Sequence, residues 1–177
     1  MLDANAPGWT RLIREIPDFP KPGIRFKDLM PMLADADAFA AAVDALVAPW
    51  RDAGVEAVMA TEARGFLLGA PVARALGAGI VPVRKPGRLP GQLLEQPYAL
   101  EYGHDTLQVQ ADAISPGTRV LLLDDVLATG GTLMASRALA ERLDATIVGA
   151  GVLLEIGALN GRARWGSAVP LHATLVA

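Results

Sequence analysis

The residues best suited to chemistry stand in one stretch: Asp124 and Asp125, then, across Val126, Leu127 and Ala128, the run Thr129-Gly130-Gly131-Thr132. Paired carboxylates accept hydrogen bonds from hydroxyl groups, and a glycine turn lets backbone amides approach an anion. The apolar run Val120-Leu121-Leu122-Leu123, with Gly117 upstream, reads as a buried parallel strand whose exit from the core is marked by the two acids. Leu133, Met134, Arg137, Leu139 and Leu143 follow at helical spacing, so the glycine pair opens a helix. Unpaired N–H groups and the helix dipole then both face the turn, an anion site at the carboxyl end of a strand. No lysine follows the glycines and no Gly-x-Gly-x-x-Gly follows a strand, which rules out a Walker loop and argues against a dinucleotide fold. A ligand fitting both halves carries hydroxyls and, a short way beyond, a phosphate. A ribose 5-phosphate has that shape.

Other elements must position this stretch. Trp9, Leu12, Ile13 and Ile16 recur at helical spacing and predict a first helix ending before Pro17. A Pro-rich loop over Asp18 to Gly23 leads to a short edge strand in which Ile24 and Phe26 alternate with Arg25 and Lys27. A helix is predicted from Asp37 to Trp50, and a central strand through Val55, Ala57, Val58, Met59 and Ala60. Glu62-Ala63-Arg64-Gly65-Phe66 ends that strand, and a helix from Leu67 to Leu76 carries Pro71 in its first turn. An arginine beside a glycine suits a pyrophosphate, because the guanidinium forks onto two oxygens and the glycine permits unusual backbone. Gly79 to Lys85 reads as a strand ending in the cations Arg84 and Lys85, with Pro82 placing it at a sheet edge or bulge. Pro86 to Glu101 has no clear period, and so long a connection in a small domain is expected to be a lid or binding loop. Thr106 to Gln110 alternates as a strand, Ala145 to Leu154 holds another buried strand, and a short apolar strand closes the chain beyond Leu159. Four apolar strands alternating with helices predict an α/β fold, a parallel central sheet flanked by helices on both faces, with short edge strands added.

The run from Val120 to Thr132 resembles the phosphoribosyl pyrophosphate signature of the type I phosphoribosyltransferases. Asp18-Phe19-Pro20 with Pro22-Gly23-Ile24-Arg25-Phe26, Glu62 to Phe66, Val83 to Gly91, and Tyr98-Ala99-Leu100-Glu101-Tyr102-Gly103 narrow the likeness to the adenine-using members of that family. The matches stand in the family's order over almost the whole chain. The resemblance implies one phosphoribosyltransferase domain over residues 1–177, with a small hood at about 17–30 and a mobile lid at about 86–105. It implies transfer of the phosphoribosyl group from phosphoribosyl pyrophosphate to adenine, giving AMP and pyrophosphate. Asp124 and Asp125 would bind the ribose hydroxyls, Thr129, Gly130, Gly131 and Thr132 would anchor the 5-phosphate, and Val126, Leu127 and Ala128 between them would bind substrate. Arg64, Gly65, Arg84 and Lys85 would meet the pyrophosphate. Phe26 would stack on the base opposite Leu127, while the backbone at Ile24 and Arg25 reads its edge. Glu101, beside Tyr102 in the lid, is the proton acceptor the resemblance offers, with Arg64 and Asp125 the other residues at the reacting centre. Magnesium is expected as cofactor, held near Asp124 and Asp125 through pyrophosphate, ribose and water rather than by direct protein ligands. A homodimer is expected on the same ground. Arg88 in place of a frequent lysine and Gln108 in place of a common acid depart from the pattern, and neither is expected to touch the named site.

Composition narrows the field further. Zero cysteines exclude disulfides, thiolate metal sites and cysteine nucleophiles. A net charge of −3 without a basic run leaves no electrostatic footprint for nucleic acid. No apolar run approaches a membrane span, and Met1 to Pro7 lacks the pattern of a secretory signal, so the cytoplasm is expected. Two other readings compete: the same scaffold acting on another base, told apart by hood and lid, and a regulatory sensor of phosphoribosyl pyrophosphate. The sensor reading predicts a helix-turn-helix or a basic face, and the sequence shows neither.

Overall fold

The computed structural model describes residues 7–99 and 104–177. They form two compact units, one up to Ala45 and one from Leu46 to Ala177. The first holds a 3-10 turn at Gly8–Leu12, strands β1 (Arg14–Pro17) and β2 (Arg25–Asp28), helix α1 (Met30–Ala34) and most of α2 (Ala36–Val47). The helix predicted from Trp9 to Ile16 is therefore only one 3-10 turn, and its second half is a strand. Antiparallel pairing explains the change: Ile16 lies opposite Phe26 and Glu15 opposite Lys27. Across the ribbon Arg14 meets Asp28 at 2.6 Å and Glu15 meets Lys27 at 2.7 Å, and no local propensity competes with a complete cross-strand set. The Pro-rich loop is tied by its own Asp18, whose Oδ1 accepts the Gly23 N–H at 2.6 Å.

The second unit is built on β3 (Ala57–Thr61), β4 (Gly79–Val83), β7 (Arg119–Leu127), β8 (Thr146–Glu155) and β9 (Leu171–Val176). They form one parallel sheet in the order β4-β3-β7-β8-β9. The C-terminal strand thus makes a fifth member where the sequence shows four, and Pro82 lies on the edge strand β4, as its missing N–H requires. Met59, Val120 and Leu122 share a cluster with Leu133, Leu139 and Leu143 from α4 (Gly131–Arg142) and its end. Ala60, pointing the other way, faces Gly69 of α3 (Arg64–Leu76). The period of two in the strands therefore buries one helix on each face.

Three details differ from the sequence reading. The strand β7 runs on through Asp124 and Asp125 to Leu127, so the acids are inside the sheet rather than at its exit. Helix α3 starts at Arg64, which places Pro71 inside the helix and not in its first turn. The hydrogen bond it forfeits belongs to the carbonyl of Leu67, a residue 48% exposed. The segment expected to lack structure contains β5 (Leu93–Ala99), which pairs antiparallel with β6 (His104–Gln110) into an arm. Leu94 of β5 packs against the apolar cluster that includes Leu107 and Val109 of β6, so the arm is held by side chains on one face. Two prolines and two glycines before it hide that alternation.

Gly69 permits the close approach of α3 to β3: a Cβ there would stand 2.5 Å from the Cβ of Ala60. Gly69→Ala is expected to cost about 1–3 kcal/mol, read as a lower denaturant midpoint at unchanged slope. An unchanged midpoint would show that the two elements are free to separate.

Candidate active site

Near the end of β7 the two acids are almost out of water, Asp124 at 7% and Asp125 at 6% exposure. Asp124 Oδ1 accepts the N–H of Asp125 at 2.9 Å. Arg64, the first residue of α3, sets Nε 2.6 Å from Asp125 Oδ2, and this carboxylate offsets the unfavourable placement of a cation at a helix N-terminus. Gly65 then lies so near β7 that a Cβ would come 3.1 Å from Asp124 Oδ1. Burial above all, and then the negative charge of Asp125, push the Asp124 carboxyl well above its ordinary value of 3.8.

The strand passes into the turn through Val126, half-buried, and Leu127, 1% exposed. Leu127 belongs to the apolar cluster with Leu133 and Trp165, which corrects the expectation that its side chain offers a face to the base; alternation leaves Val126 on the other side. Ala128 and Thr129 follow, half-buried, and Gly130 takes φ +81°, a left-handed conformation that glycine adopts without penalty. That residue is the N-cap of α4 and no side chain caps the helix. The N–H groups of the first turn, at Gly131 and Thr132, therefore open onto a small pocket of about 50 Å³ lined by residues 126–133.

A second group gathers beyond β4. Glu62, with a side chain 8% exposed, faces three basic residues: Arg84 Nε at 3.3 Å, Arg88 Nη1 at 3.3 Å and the backbone N–H of Lys85 at 2.9 Å. Burial raises its carboxyl, but those hydrogen bonds and charges prevail and hold it below the ordinary range. The Arg84 backbone exchanges hydrogen bonds with Gln108, its Nη1 donates to the Arg88 carbonyl at 3.1 Å, and its guanidinium lies 5.9 Å from the Phe66 ring centre. Arg88 and Gln108 thus touch a named site residue, which corrects the expectation that they stand apart. Lys85 Nζ pairs with Asp105 Oδ2 at 3.0 Å, and the Tyr98 hydroxyl donates to the same oxygen at 3.2 Å. The Tyr98 ring also lies against the phosphate turn, 3.3 Å from where a Cβ on Gly131 would stand; burial first, with the charges of Asp105 and Asp124, raises its phenol. The arm is in this way joined both to the cations and to the phosphate turn.

Ile24, Arg25 and Phe26 lie in the N-terminal unit, where Phe26 meets Phe19 edge to face with ring centres 5.1 Å apart. Glu101 and Tyr102 lie outside the described residues, between the paired ends Ala99 and His104.

A profile of the phosphoribosyl transferase domain matches residues 27–165. Adenine phosphoribosyltransferase of Xanthomonas campestris pv. campestris is 57% identical over 167 residues, covering 94% of this chain and 90% of that protein. The chain belongs to the adenine phosphoribosyltransferase family. Among solved members, the Rhodothermus marinus enzyme superimposes with a TM-score of 0.90 at 47% identity, over 94% of this chain and 95% of that one. The Saccharomyces cerevisiae enzyme, solved with adenine and an imino-altritol bisphosphate, gives 0.87 at 35% identity, over 93% and 95%. As an adenine phosphoribosyltransferase the chain carries its acid pair, glycine turn and cation group on one parallel sheet.

Sequence reading gave no role to Glu62, Tyr98 or Asp105. A signal existed for the first, since Arg84, Lys85 and Arg88 cluster without a counter-charge of their own; for Tyr98 and Asp105, only the fold of the arm brings them to the phosphate turn and Lys85. The pair at the centre also has a thermodynamic cost. A carboxyl raised in the folded state keeps a proton that the unfolded chain has lost, so folding weakens as pH rises from the ordinary 3.8 through the raised value. Asp124→Asn retains the acceptor for Asp125 and removes that effect. The variant is expected to melt above the parent at pH 7, by about 2–4 °C per kcal/mol relieved, with the gap closing toward pH 4. Melting curves that stay parallel across this range would contradict the assignment.

Proposed function

We propose a division of labour among these residues for the family's reaction, the transfer of the phosphoribosyl group from phosphoribosyl pyrophosphate to adenine, with formation of AMP and pyrophosphate. The observation that carries it is the buried pair Asp124 and Asp125 beside the uncapped start of α4. As pyrophosphate leaves the anomeric carbon, positive charge grows on the ribose and negative charge on the leaving group. Asp124 and Asp125 accept hydrogen bonds from the ribose hydroxyls and sit where the positive charge develops. The amides and hydroxyls of Ala128, Thr129, Gly130, Gly131 and Thr132 fix the 5-phosphate, so the sugar is held at both ends. Arg64 and Gly65 on one side, Arg84 and Lys85 on the other, take the pyrophosphate. Glu62 positions Arg84 by holding its Nε, and keeps the cations gathered before substrate arrives. Ile24, Arg25 and Phe26 offer the purine an apolar ring and a hydrogen-bonding backbone edge. Glu101 takes the proton that the attacking nitrogen loses, and Tyr102, next to it in sequence, binds substrate.

Magnesium belongs to this reading. The two aspartates offer the hard oxygens magnesium prefers, and the ion would be held near them through pyrophosphate, ribose and water. When bound it supplies positive charge to the leaving group. A homodimer is also proposed: Leu67 and Ile80, 48% and 44% exposed, are apolar residues on adjacent α3 and β4 that a second copy would cover. No helix among the described residues is long and apolar enough to cross a membrane, and the cytoplasm is the proposed compartment.

Pyrophosphate release with magnesium and phosphoribosyl pyrophosphate, measured separately with adenine, hypoxanthine, guanine and xanthine, tests the proposal. Turnover is expected with adenine, and equal turnover of guanine would contradict the assigned specificity. Glu101→Gln is expected to lower kcat about 10²- to 10⁴-fold with little change in KM for phosphoribosyl pyrophosphate. An unchanged kcat would remove Glu101 from the chemistry.

A further inference from the structure

The 5-phosphate turn holds no cation in its own sequence: Ala128-Thr129-Gly130-Gly131-Thr132 is uncharged, and the acids just before it oppose an incoming phosphate. Folding brings one there. Helix α5 (Gly161–Trp165) follows β8, and its first residue abuts the turn. A Cβ at Gly130 would stand 3.0 Å from the Gly161 carbonyl, and one at Gly161 would collide with the Ala128 carbonyl. At the other end of α5, Trp165 is 3% exposed, donates Nε1–H to the Val169 carbonyl at 2.7 Å and lies under Arg137, 5.1 Å from its ring centre. The short helix is therefore fixed at both ends, and its two arginines diverge. Arg162 is taken by Glu155 and the Leu171 carbonyl. Arg164 turns to the phosphate turn, with Nη1 3.4 Å from the Thr129 carbonyl and 3.9 Å from where a Cβ on Gly131 would stand. That bond is long, and among the described residues Arg164 has no carboxylate partner.

We infer that Arg164 is the cation of the 5-phosphate site, a substrate-binding residue that supplies to the turn the charge its own sequence lacks. The inference rests on the phosphoribosyl reading of the turn. A guanidinium weakly held by one carbonyl can exchange it for a phosphate oxygen at little cost, and a charge-assisted bond to phosphate is the stronger of the two. The tip of the arm shares the place: the Ala99 carbonyl and the Tyr98 ring stand 3.0 and 3.3 Å from the same Cβ position on Gly131.

The experiment compares Arg164→Ala and Arg164→Lys with the parent enzyme in steady-state kinetics, and their binding of AMP and adenosine by calorimetry. Arg164→Ala is expected to raise KM for phosphoribosyl pyrophosphate and to weaken AMP by about 10- to 100-fold. Adenosine, KM for adenine and melting temperature should hold, and Arg164→Lys should recover most of the loss. Unchanged AMP affinity in Arg164→Ala would overturn the inference, as would equal weakening of AMP and adenosine, which marks a merely structural role. A parent enzyme that turns over no base would instead bring down the phosphoribosyl reading, independently of either variant.

Discussion

Two neighbouring carboxylates kept in a nearly dry strand end repel one another and lose their hydration, and the site depends on that arrangement. Asp125 is answered by Arg64 at 2.6 Å, whereas Asp124 is left with a backbone N–H and a raised carboxyl. A fold gains nothing from such a pair unless something later satisfies it. The ligand that does so carries hydroxyl donors on one side and an anion on the other, since the uncapped start of α4 lies just beyond. Stability given up in the free protein becomes preorganisation in the complex.

The sheet makes this geometry possible. All five central strands run parallel, so their carboxyl ends lie along one edge, and the acids of β7, Arg64 after β3 and Arg84 after β4 emerge there from neighbouring strands. Opposite charges are sorted by strand: Glu62 gathers Arg84, Arg88 and the Lys85 amide on the flank, and Arg64 stands between that group and the acid pair as partner of Asp125. The arm links the two regions, because the Tyr98 ring lies against the turn at Gly131 while its hydroxyl and Lys85 share one oxygen of Asp105. Movement of the arm would loosen Lys85 and uncover the turn together.

Much of the site was legible because it is local. An apolar run, two acids, a glycine pair and a helical period identify Val120 to Leu143 without any tertiary information, and the glycine at 130 takes the left-handed conformation its type allows. What stayed hidden depends on distant pairing. Arg14 to Ile16 read as the end of a helix because Arg14 and Glu15 find partners only in β2, more than ten residues on. Leu127 was placed against a ligand because sequence does not say which side of the strand end faces the core. Arg88 and Gln108 were set apart from the site, yet the edge of β4 brings both to Arg84.

The pair Asp124 and Asp125 is held nearly dry for the ribose hydroxyls, with the Asp124 carboxyl raised by burial and by the charge of Asp125, and hydroxyl donors from a substrate would favour its ionised form. Calorimetric titration of phosphoribosyl pyrophosphate into the protein, with magnesium in buffers of differing ionisation enthalpy, reads protons exchanged on binding. Proton release is expected as pH rises above the ordinary carboxylate range, and is expected to be absent in Asp124→Asn. Binding with no proton release, or the same release in Asp124→Asn, would contradict this role of the pair.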